Sequence, residues 1–197
     1  MSNDEDLLVA DIPVRGRVSN QLTPDQATHM HAWIQALRSG DYVQAQSRLR
    51  TPVYVGDQRK TGYCCLGVAA EIAITQGCPI AWGTNSITSN TIGSIGSIGS
   101  DNTGYHDSSG SLAIGPMIEW FGFTGKYAAI EVPCKMLGRR GSRNPCIGYR
   151  FGHHDPHTCA RPAFVEATSL NDHYKWGFGQ IASAFEDFYF PAASDGE

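Results

Sequence analysis

Cys64 and Cys65 stand side by side in Y-C-C-L-G-V, where a short approach strand, Gly62-Tyr63, would pass into a helix. A thiol at a helix N-terminus has its anion stabilised by free N–H groups and by the dipole, so the position suits a nucleophile. Such chemistry also needs an imidazole base and a group to orient it. His106 and His173 are the candidate bases, Asn171 and Asp172 the candidate orienters. Neither histidine sits in a recognisable motif, and adjacent cysteines on an apolar helix serve equally well as core residues. Core packing is the preferred reading of the pair and catalysis the alternative.

A second group is Cys146, His153, His154, His157 and Cys159, five soft or borderline ligands within 14 residues, with Cys134 a further contributor. The set suits tetrahedral zinc, although no C-x-x-C pair or standard finger spacing accompanies it. Its bland alternative is a polar loop with solvated histidines, so zinc is a cofactor that the sequence allows without requiring one. Just upstream, Gly138-Arg139-Arg140-Gly141-Ser142-Arg143 offers guanidinium forks and glycine N–H groups to a phosphate, and Tyr149 and Phe151 offer faces for a base. That segment reads either as a solvated basic loop or as a ligand site. Asn171-Asp172, placed in a loop before the last helix, reads as a turn and capping pair or as a further ligand contact.

The 197 residues, 41% of them hydrophobic, suffice for one domain with a sizeable core. A net charge of −4 argues against a generally basic nucleic-acid coat, and duplex DNA binding would call for a larger basic footprint and a reading helix. The balance is uneven: between Glu131 and Asp155 there are five basic residues and no acid. The acidic start MSNDEDLLVADIP lacks the pattern of a signal peptide, and no apolar run approaches the roughly 20 residues that span a bilayer. The expectation is therefore a cytoplasmic protein, without a membrane partner, whose six cysteines are thiols or metal ligands.

The elements that must position these groups are legible in part. Thr23, Pro24 and Gln26 form a capping box opening a helix with the stripe Ala27, Met30, Trp33, Ile34 and Leu37, ended by Gly40. Residues 42–54 read as one or two short strands. The central helix carries Leu66, Ala69, Ala70, Ala73 and Ile74 at the helical period, with Glu71 its single charge and Gly77 its stop. From Gly83 to Gly110 the chain turns to Gly, Ser, Thr and Asn, including three Ile-Gly-Ser triplets, and reads as a flexible loop or a lid. A short helix over 115–121, a strand over 126–132 and a last helix over 177–189 complete the reading. The predicted class is α+β: three to four helices, a short sheet and a long Gly/Ser-rich insertion. The boundaries are an extended arm over 1–21, a domain over 22–190 with insertions at 83–115 and 124–168, and a tail over 191–197. An ordered arm would have to be pinned to something, and another subunit, making a homo-oligomer, is one candidate.

W-I-Q-A-L-R-S-G-D-Y-V-Q (33–44), Y-C-C-L-G-V (63–68), E-W-F-G (119–122), L-N-D (170–172) and F-G-Q-I-A (178–182) together resemble a family of small, largely uncharacterised proteins encoded by phages, prophages and other bacterial genomes. The resemblance covers under half of the chain and brings no catalytic residues with it. It implies a phage-type protein working in the host cytoplasm. The leading expectation is a non-enzymatic binding protein that acts on a host target, in the manner of a counter-defence protein. Its ligand would be a nucleotide-like anion or a host protein, and its candidate contacts Arg139, Arg140, Arg143, Tyr149, Asn171 and Asp172. The alternatives are a papain-like thiol hydrolase using Cys64 or Cys65, and an assembly protein with ordered arms.

Overall fold

Helix α2 (Cys65–Thr75) is buried on most of its circumference: Cys65, Leu66, Gly67, Val68, Ala69, Ala70 and Ala73 all face protein. Glycine or alanine at four of these positions lets neighbouring elements approach closely. The computed structural model describes residues 20–83, 87–89, 113, 115–137 and 162–192. Within them the class is α+β, with six helices and short strands that contribute residues to one core cluster.

Helix α1 (Pro24–Arg38) begins at the expected box: the Gln26 amide donates to Thr23 Oγ1, and the Thr23 amide donates to Gln26 Oε1. Gln26 also donates to the Glu119 carbonyl, so the cap of α1 is fastened to α3 (Gly115–Phe121). The stripe of α1 buries Met30, Trp33, Ile34 and Leu37. Trp33 lies edge-on to Phe123 and Phe185 and donates its indole N–H to the Cys65 carbonyl at 3.0 Å. Phe185 belongs to the last helix, α6 (Phe178–Tyr189), whose inner face is Phe178, Ile181, Ala182, Ala184, Phe185 and Tyr189. The Gly177 amide donates to Gln180 Oε1; glycine has no side chain to return the bond, so only half a capping box exists there.

Strands β1 (Val43–Gln44), β2 (Arg50–Val55) and β3 (Gln58–Tyr63) form one sheet in the order β1-β3-β2. β2 and β3 are an antiparallel hairpin closed by Gly56-Asp57, with Gly56 at φ 59° as a tight turn requires. Pro52 is accommodated because β2 is an edge strand. Two further strand pairs are β4 (Ile80–Trp82) with β5 (Ile87–Ser89), and β6 (Ala129–Pro133) with β7 (Pro162–Glu166). Short helices α4 (Cys134–Leu137) and α5 (Ala167–Asp172) complete the set.

Three local readings are revised. The stretch expected as loop from Gly83 contains β5, and Ile87 is buried in the core because β4 pairs with it. The strand expected from Lys126 starts at Ala129, after a turn through Gly125 and Ala128, both at positive φ. Asn171 and Asp172 are not in a loop; they close α5, whose Ala167 and Leu170 are buried beneath them. The described ends of the 124–168 segment, including Ile130, Val132, Ala163 and Val165, are part of the core cluster.

Candidate functional site

The chain reaches α2 through β3, so Cys64 falls at the N-cap and Cys65 at the first helical position, as the sequence suggests. Both are closed in by protein, with 1% and 0% of their surface exposed. The Cys65 thiol donates to the Ala167 carbonyl at 3.4 Å, and the Cys64 amide donates to the Leu49 carbonyl at 3.3 Å. Burial pushes the Cys65 thiol well above its ordinary range, and the neighbouring Cys64 and the negative Asp172 push the same way. A nucleophile requires the opposite shift. His173, the candidate base within the described residues, is exposed and set edge-on to the Tyr174 ring. The vicinal cysteines are core residues.

Asn171 is where the separate motifs meet. Its Nδ2 donates to the Ala45 carbonyl at 2.9 Å and to Asp172 Oδ1 at 2.6 Å, while its Oδ1 accepts from Gln44 Nε2 at 2.9 Å. Gln44 also donates to the Trp176 carbonyl and accepts from the Phe178 amide. Asp172 Oδ1 accepts from the Ser47 amide, and Lys175 Nζ donates to Gln46 Oε1. Ser47 and Lys175 both hold positive φ, at 69° and 59°, an uncommon conformation away from glycine. With no exposed surface and both ends of its carboxamide occupied, Asn171 is a structural hub, which corrects its reading as a ligand contact. Asp172 is half-buried against the same network.

Beyond this junction the surface carries a group that sequence reasoning missed. Tyr42 precedes β1, Arg50 opens β2, Tyr63 closes β3, Glu71 lies on α2 and Trp82 ends β4. The Arg50 guanidinium sits 4.4 Å from the centre of the Trp82 ring, and Trp82 Nε1 donates to Glu71 Oε2 at 2.7 Å. The Tyr42 and Tyr63 rings meet edge-on at 5.4 Å. Partial burial, and after it the Glu71 carboxylate, raises both phenols above their ordinary range, so they remain hydroxyl donors at neutral pH. All five side chains are half-buried. The cluster offers ring faces, a guanidinium and hydrogen-bonding groups at one spot, the equipment for holding a planar, charged small molecule. Its one sequence signal is Glu71, a lone charge in an otherwise apolar helix.

His106, Arg139, Arg140, Arg143, Tyr149 and the five candidate metal ligands Cys146, His153, His154, His157 and Cys159 lie outside the described residues. So do the residues of the 1–21 arm up to position 19, and 193–197 of the tail. No described helix is long and apolar enough to cross a membrane. A family model described as a domain of unknown function (DUF8296) matches residues 27–111. No curated protein and no solved structure matches the chain. The matched span runs from α1 through β5 and contains both vicinal cysteines and all five residues of the aromatic cluster.

Proposed function

We propose that this chain is a non-enzymatic binding protein that holds a nucleotide-like anionic ligand at the Tyr42–Arg50–Tyr63–Trp82 cluster. The observation that carries the reading is the Arg50 guanidinium laid over the Trp82 ring beside Tyr63. A guanidinium prepositioned on an aromatic face presents its remaining N–H donors to a phosphate while the neighbouring rings offer faces to a base. The burial of Cys64 and Cys65 supports binding over thiol hydrolysis, since a substrate carbonyl has no path to either sulfur. A phage-type protein acting on a host target, as the motif resemblance implies, would use such a site to sequester a host nucleotide.

Thermal denaturation in the presence of purine and pyrimidine nucleotides tests this. The expected result is a concentration-dependent rise in Tm with at least one nucleotide, as mass action requires of a ligand bound by the folded state alone. Arg50→Gln should abolish that rise while leaving the unliganded Tm within a few degrees. Failure of every nucleotide to move the Tm overturns the reading.

A further inference from the structure

The β2–β3 hairpin extends from the aromatic cluster into solvent, and its two faces differ. Strand alternation places Arg50, Pro52 and Tyr54 on one face of β2, and the register sets Tyr63, Thr61 and Arg59 opposite them. On the other face Val53 is half-buried, and a Cβ added at Gly62 would fall 2.7 Å from a Val53 methyl, so the base of that face is covered, while Val55, Gln58 and Lys60 toward the tip are exposed. Pro52, Tyr54, Arg59 and Thr61 are all exposed, Tyr54 by 76%. Tyr54 is thus a large aromatic residue held in water by an edge strand. Each rung that carries a ring also carries a guanidinium: Tyr54 is paired with Arg59, and Tyr63 with Arg50. The Pro52–Thr61 rung lies between them, small and free of charge. In a chain with net charge −4, residues 48–63 hold four cations and one carboxylate.

We infer that this face is a track for a short single-stranded nucleic acid, with bases against Tyr63 and Tyr54 and phosphates against Arg50 and Arg59. The inference rests on the nucleotide site proposed above and extends it outward along the hairpin. Two residues of strand advance about 7 Å, comparable with one extended nucleotide, so the two ring-bearing rungs lie on the order of two nucleotides apart. An acidic protein surface would need the guanidinium groups alone and would leave the repeated pairing with rings without purpose. A duplex hides its base faces and cannot stack on Tyr54. Single strands are held by this combination of aromatic platform and cation, with little regard to sequence.

Fluorescence anisotropy of labelled dT8 on the full chain, beside unlabelled mononucleotide as competitor, tests the inference. The octanucleotide should bind at least about tenfold tighter than the mononucleotide, the gain expected from one added stacking contact. Tyr54→Ala and Arg59→Gln, both on exposed side chains, should each remove most of that gain without changing mononucleotide affinity or Tm. Arg59→Gln should also reduce the slope of log K against log salt by about 0.7, the loss of one phosphate contact to a single strand. Equal affinity for octanucleotide and mononucleotide, or dT8 binding indifferent to Tyr54 and Arg59, overturns the track and leaves the nucleotide site standing. Duplex DNA binding as tightly as dT8, or equal displacement of dT8 by polyglutamate, overturns it as well. Absence of binding by either nucleotide or dT8 removes both readings.

Discussion

At the scale of single residues, Asn171 ties separate parts of the chain together. It joins the end of α5 to Gln44 at the end of β1 and to Ala45 just after it, and through Gln44 to the start of α6. A buried donor or acceptor left without a partner costs about 1–3 kcal/mol. Asn171→Ala takes a partner from the Ala45 carbonyl and from one N–H of the Gln44 amide, so a loss of about 2–4 kcal/mol in urea denaturation is expected. Gln44→Ala should couple to it by at least about 0.5 kcal/mol in a double-mutant cycle, the mark of one shared network. Additive losses would show that the two side chains act independently. The sequence placed Asn171-Asp172 just before the last helix. It could not show that the carboxamide is consumed, because its partners lie up to 127 residues away.

At the scale of elements, what was legible followed local chemistry. The box at Thr23–Gln26, the left-handed stops Gly40, Gly77 and Gly122, and the apolar stripes of α1 and α6 all lie within a few residues of what they control. α5 and β5 were not legible for the opposite reason. A-T-S-L-N-D has weak helix formers and no side-chain cap, and forms because its apolar residues are buried and Asn171 is bound. β5 sits among Gly, Ser and Asn and exists as a partner for β4. One close approach fixes how α2 sits beneath the sheet: a Cβ at Gly67 would lie 1.7 Å from the Leu49 carbonyl oxygen. Backbone on one side and a buried helix on the other leave no room to yield. Gly67→Ala should therefore cost about 3 kcal/mol or more despite alanine's better helix propensity, whereas an alanine in an open helix would be stabilising. A Gly67→Ala protein with unchanged Tm would mean that the two elements lie farther apart than described.

At the scale of the whole molecule, the protonation of buried groups sets an alkaline limit to stability. Burial raises the Cys65 and Cys78 thiols, the latter from 9.0 to about 11, and Tyr189 from 10.0 to about 12. The folded state therefore holds these protons more tightly than the unfolded chain does. Their stabilisation is complete below about pH 9 and is lost as the pH climbs toward 11 and beyond. Urea midpoints should stay level between pH 7 and 8.5 and fall steadily above 9. Iodoacetamide at pH 8 should leave Cys64 and Cys65 unlabelled in the folded protein and label both in urea. Rapid native labelling of either would place its sulfur in solvent.

The Arg38–Glu186 ion pair and the seating of Trp33 against Phe185 join helices whose paired residues are about 150 positions apart. On the ribosome, α1 emerges long before the surface that covers its stripe has been made. Until then the α6-facing side of Trp33 lacks its native cover, the kind of transient apolar exposure through which larger chains misfold.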